Sequence, residues 1–123
     1  MAASDALGAL ADWPVSAAAA AVVGPTGVLD SHGDTERVFE LASVTKPLVA
    51  RAAQVAVEEG VVELDTPAGP PGSTVRHLLA HASGLAMHSD HALAKPGTRR
   101  MYSNYGFTSL AQTIERESGI EFG

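Results

Sequence analysis

The chain contains no cysteine. That excludes a disulfide framework, a cysteine-ligated metal and a thiol nucleophile, and it leaves the redox compartment open. Positive charge is also scarce, with 8 Lys and Arg against 14 Asp and Glu and a formal net charge of -6. No block of basic residues offsets this, so neither nucleic acid nor an anionic membrane is an expected partner. Long apolar runs are missing as well. The longest charge-free stretch, Trp13 to Leu29, is broken by Pro14, Gly24, Pro25 and Gly27, which is no pattern for a membrane span. The opening residues lack a basic segment and carry Asp5 and Asp12 ahead of the alanine run. No signal peptide is expected, and a cytoplasmic location is the default.

What is present fits one small domain with a single modest core: 123 residues, 46% hydrophobic and 18% charged. "SDALGALADW" has apolar residues at helical spacing, with Ser4 as N-cap and Pro14 as stop. From Ala17 to Val23 a small and β-branched run enters Gly24-Pro25-Thr26-Gly27 and leaves through Val28 and Leu29, which reads as a β-hairpin. The next helix starts close to Ser43, because Pro47 is tolerated only near a helix start. Leu48, Ala52, Val55 and Ala56 form its expected apolar stripe, and Gly60 its stop. A short helix follows from Thr74 to about Ala82, ended by Gly84. A last one has Phe107, Leu110, Ala111 and Ile114 on one face and stops at Gly119. Two strands alone leave both sheet edges unpaired, so the sheet is expected to be incomplete.

Three groups of residues could carry chemistry. In "FELASVTKPL", Ser43 and Lys46 are three apart at a helix start, close enough for a nucleophile and its base. The same spacing also suits Ser43 as an N-cap beside a solvated Lys46. In an extended segment Tyr102 and Asn104 would project to one side, a phenol and a carboxamide facing one cleft. Alternatively, Tyr102 is a half-buried anchor and Asn104 caps the following helix. Among His32, His77, His81, His88 and His91, the first of the helical pair 77 and 81 has no adjacent Glu, and His88 and His91 lie with Asp90 in a loop, so packed or exposed histidines are expected rather than a metal site.

Read together and in order, "FELASVTKPL", "GVVELDTPAG", "TVRHLLAHASGL" and "PGTRRMYSNYGFTSLAQTIERESG" resemble the N-terminal half of the penicillin-recognising serine hydrolases. The pattern is most like class C β-lactamases and their esterase and D-alanyl-D-alanine peptidase relatives, from about Ala17 to Gly119. The resemblance implies an α/β fold of the α+β type, a β-lactamase/transpeptidase-like antiparallel sheet with a helical subdomain, here incomplete. Residues 1–123 would be the N-terminal part of one such domain, with helix and hairpin over 1–40 and the helical region over 41–123.

It further implies Ser43 as the acylated nucleophile, Lys46 as proton acceptor and electrostatic partner, Tyr102 as general base and Asn104 as the substrate-contacting amide. The backbone N–H of Ser43 would form half of an oxyanion hole. "HASGL", with Ala82 where the family usually has Thr, would border the site. The reaction would be two-step acyl transfer on a β-lactam, ester or small amide, with neither cofactor nor metal. The family's third motif, Lys-Thr-Gly or His-x-Gly on a strand that also gives the second oxyanion donor, has no match, so a C-terminal companion segment is expected to complete the site. Without that donor little activity is expected, since losing one costs about 10²–10³-fold. Two other classes of function compete: a non-catalytic relative that binds a β-lactam or peptide, and an interaction module using the open sheet edge.

Overall fold

The computed structural model describes residues 3–122 and divides into two compact units, Met1–Glu40 and Leu41–Gly123. In the first unit, helix α1 (Ala3–Gly8) runs into a 3₁₀ turn over Ala9–Asp12. Ser4 therefore lies inside α1 and not ahead of it as its cap. Strands β1 (Ala19–Gly24) and β2 (Gly27–Gly33) pair antiparallel, from Ala19 with Gly33 to Gly24 with Gly27. Pro25 and Thr26 make the two-residue connection expected between those glycines. A register shift between Val22 and Val23 leaves Leu29 as the extra residue of a bulge. The second strand runs on through Asp30, Ser31 and His32. Among the described residues the sheet has only these two strands.

The second unit holds helices α2 (Thr45–Glu58), α3 (Val75–Leu79) and α4 (Asn104–Ser118), with α4 packed against both others. Pro47 sits in the first turn of α2, where its missing N–H costs nothing. The buried stripe of α2 is rotated by one position from the expected one. Ala53 and Ala56 are buried and Val49, Ala50 and Val57 half-buried, whereas Leu48 is 59% and Val55 36% exposed. The buried alanines of α2 share one core cluster with the large side chains Phe107, Leu110 and Ile114 of α4, and Leu48 stands about 100° round the helix from Val49. The face of α4 is as expected: Phe107, Leu110 and Ile114 are buried. Gly119, in the left-handed conformation, ends that helix by donating its N–H to Glu115 O at 2.8 Å.

Helix α3 is shorter than expected, and its end is set by His81 instead of Gly84. The N–H of His81 donates to Leu78 O (3.1 Å) and that of Ala82 to His77 O (2.7 Å), the paired bonds of a Schellman motif. His81 occupies its left-handed position with φ of 56°. At the other end, Nδ1 of His77 accepts the Thr74 backbone N–H at 3.2 Å, so this histidine serves as a helix cap.

Gly84 has a separate task, a close approach between two chain segments. Its φ is +82°, and a Cβ there would lie 2.0 Å from the carbonyl oxygen of Ala94. Gly84→Ala is therefore expected to destabilise the unit by about 1–3 kcal/mol. Urea denaturation of the two proteins measures this, and a change within about 0.5 kcal/mol would show that the 84–94 contact yields freely. No helix among the described residues is long and apolar enough to cross a membrane.

Candidate active site

Ser43 sits in a 3₁₀ turn, Ala42–Val44, that feeds directly into α2. The turn is entered through Ala42 at φ 44°, a conformation uncommon for a residue with a Cβ. The Ser43 hydroxyl caps nothing. Lys46 Nζ donates to Ser43 Oγ at 3.2 Å, and Ser43 Oγ and Tyr102 Oη share a hydrogen bond of 2.8 Å across 59 residues of sequence. Lys46 Nζ also stands 4.8 Å from the centroid of the Tyr102 ring. Ser43 is thus no N-cap of α2, and Ser43, Lys46 and Tyr102 join in one polar contact.

That contact has an electrostatic consequence. Lys46, by hydrogen bonding and by its charge, and then Ser43, by hydrogen bonding, hold the Tyr102 phenol below its ordinary value of 10.0; partial desolvation opposes them. The phenol is 41% exposed, so solvent moderates the effect. A cleft of about 340 Å³ lies over the three residues, its other walls being Pro47, Ala50, His81 and Phe107. Its lining is apolar except for the three polar tips and the His81 ring, which is the usual make-up of a small-molecule site.

Asn104 is placed differently from expectation. It is the first residue of α4, and the cap is Ser103, whose Oγ accepts the Gly106 N–H at 2.9 Å. The extended segment therefore ends at Ser103, and Asn104, its own N–H bound to Met87 O, turns into a neighbouring hollow of about 300 Å³. Lys46 and Phe107 line both hollows, so Tyr102 and Asn104 flank Lys46 from two sides. Asn104 Nδ2 lies 3.4 Å from His88 Nδ1, and Asn104 Oδ1 is buried with no partner.

Sequence reasoning gave His81 no role beyond its place in the segment bordering the site. It is 8% exposed and lies under the phenol, its ring centroid 4.6 Å from that of Tyr102 and 5.0 Å from that of Phe107. The signal in the sequence was the "HASGL" segment that His81 opens; its left-handed backbone, at a helix end where glycine is usual, is seen only in the fold. Among the described residues no group of three or more His, Asp or Glu is arranged to hold a metal ion.

A serine, a lysine and a tyrosine joined in this way put a hydroxyl in contact with two groups able to take up or stabilise its proton. Comparison with known proteins shows the family. The family model described as Beta-lactamase matches residues 11–123, and the chain belongs to that family. A crystal structure of a β-lactamase from Mycobacterium bovis superposes with a TM-score of 0.87 at 83% sequence identity, covering 96% of this chain and 43% of that one. Penicillin-binding protein 4* of Bacillus subtilis (strain 168) is 31% identical, with 72% of this chain and 27% of the relative aligned. The chain thus spans less than half the length of either protein.

Proposed function

We propose that this chain supplies the acylation machinery of a serine hydrolase acting on a β-lactam, an ester or a small amide. The observation that carries the reading is the Ser43 hydroxyl held between Tyr102 Oη at 2.8 Å and Lys46 Nζ at 3.2 Å. In the first step Ser43 Oγ attacks the carbonyl carbon and its proton passes to Tyr102 Oη, the base whose basicity Lys46 tunes. The C–N or C–O bond then breaks, the leaving group takes up the proton, and the acyl group stays on Ser43. In the second step water gives a proton to the same base and attacks the ester carbon; the bond to Ser43 Oγ breaks, Oγ takes that proton back and the acid is freed. Lys46 stabilises negative charge on Tyr102 throughout, and Asn104 orients the acyl donor from the adjoining hollow.

The partner is therefore a small-molecule acyl donor, with no cofactor. The reading includes a second wall of the site, carrying the other oxyanion donor, contributed by further polypeptide. The two-stranded sheet and the partial coverage of both relatives support this.

A fluorophosphonate probe tests the proposal. Ser43 Oγ should displace fluoride and give one adduct in the intact-protein mass spectrum, absent from Ser43→Ala. A label that persists in Ser43→Ala would overturn the assignment of the nucleophile. No label under any condition, with tight non-covalent β-lactam binding, would instead favour a binding protein.

A further inference from the structure

Between Tyr102 and Asn104 lies Ser103, 1% exposed and bound on three sides. Its Oγ donates to Ala86 O at 2.7 Å and accepts the Gly106 N–H at 2.9 Å, while its own N–H donates to Nδ1 of His81 at 3.1 Å. The same imidazole stacks against the Tyr102 ring, and the His81 carbonyl accepts the Met101 N–H at 2.6 Å. One residue therefore grips the backbone on both sides of Tyr102 and supports its ring from below. His81 can do so only because its left-handed backbone, at the end of α3, turns the side chain back towards the start of α4.

We propose that His81 is a positioning residue for Tyr102, holding the phenol at Ser43 only while its imidazole is neutral with the proton on Nε2. This rests on the reading of Tyr102 as the base of the acylation step. The Ser103 N–H needs a lone pair on Nδ1, so the protonated ring cannot accept that bond. Protonation would also set a cation under Tyr102 beside the charges already facing it, Lys46 on α2 and Arg100 in the loop before Tyr102. Those surroundings keep the ring neutral: burial first, then Arg100 and Lys46, hold His81 below the ordinary histidine value of 6.5. A displaced phenol should slow acylation, since a misplacement near 1 Å can cost about 10²-fold.

Two variants keep the helix end, because glycine and asparagine are the residues that best accept its left-handed position. His81→Gly removes both the ring and the acceptor. His81→Asn removes the ring but leaves an amide oxygen near the place of Nδ1 and cannot titrate. Fluorophosphonate labelling of Ser43 should slow by about 10²-fold in His81→Gly, with His81→Asn recovering at least tenfold of the loss. The wild-type rate should show an additional fall on acidification below pH 6.5 that His81→Asn lacks. Equal rates in the wild type and His81→Gly, at matched thermal midpoints, would overturn the proposal.

A second measurement does not depend on Ser43 chemistry. In wild-type protein followed by NMR against pH, the ring protons of Tyr102 should shift with the same midpoint as those of His81. Tyr102 resonances indifferent to the His81 titration would overturn the positioning role even where labelling succeeds. Coupled titration without any labelling would uphold it and sink the acylation reading instead.

Discussion

Tyr102→Phe is expected to slow acylation of Ser43 by about 10²–10⁴-fold, the usual contribution of a positioned general base. The substitution removes one oxygen, the one 2.8 Å from Ser43 Oγ, and leaves the ring on His81 in place. Stability should hardly change, because the hydroxyl is at the mouth of an open cleft and its loss strands no buried partner. The pH dependence follows from the direction of the phenol's shift. A base works when deprotonated, so the rate should rise with pH, and the rise should begin below the ordinary phenol value of 10.0 because Lys46 favours the phenolate. In Lys46→Ala that support is gone, and the rise should move to higher pH. Stopped-flow acylation across pH in the three proteins checks both statements. A Tyr102→Phe protein that acylates within threefold of the wild type would remove the phenol from the mechanism, and an unmoved profile in Lys46→Ala would remove Lys46 as the source of its shift.

The elements of this chain were legible where local chemistry decides them. Pro47 marks the first turn of α2, Gly119 the end of α4, and Gly24 and Gly27 the hairpin, each through a backbone preference that needs no tertiary information. The face of α2 was not legible in the same way. Leu48 and Val55 outweigh Ala53 in any count of apolar residues, but which stripe turns inward depends on what α4 presents, and α4 presents the large side chains Phe107, Leu110 and Ile114, which share the core with the alanines of α2. The three polar residues of the site could be named only with four segments read together, since each short motif alone left an alternative open. Their contact could not, because Tyr102 reaches Ser43 only through the loop that α3 and His81 set. The least legible feature was His81 itself, whose role depends on a left-handed backbone, a ring stack and a bond to an unremarkable serine amide. The side chain of Asn104 was misplaced for a related reason: extended spacing stops at Ser103, since that residue and not Asn104 caps the helix.

Leu78→Ala carries the largest expected cost in stability, about 2–5 kcal/mol. Leu78 is fully buried on α3 and touches two glycines that are empty on its side: a Cβ on Gly69 would lie 3.1 Å from Leu78 Cδ2, and one on Gly106 would lie 3.7 Å away. The two glycines and the leucine are matched in volume, so shortening the leucine opens a cavity that neither neighbour has a side chain to fill. In a unit of this size the loss should lower the thermal midpoint by roughly 10–30 °C. Leu78→Met, which nearly conserves volume, should cost less than about 1.5 kcal/mol and so distinguishes the cavity from mere substitution. A cost below about 1 kcal/mol for the alanine variant would mean that α3 closes onto α4 and that the packing is looser than the burial indicates. The site would register the difference. Leu78 O accepts the N–H of His81, so a shift of α3 passes into the residue beneath Tyr102. At temperatures where Leu78→Ala is still folded, acylation should therefore weaken while Leu78→Met keeps it, which ties the core of the helical unit to the placement of the base.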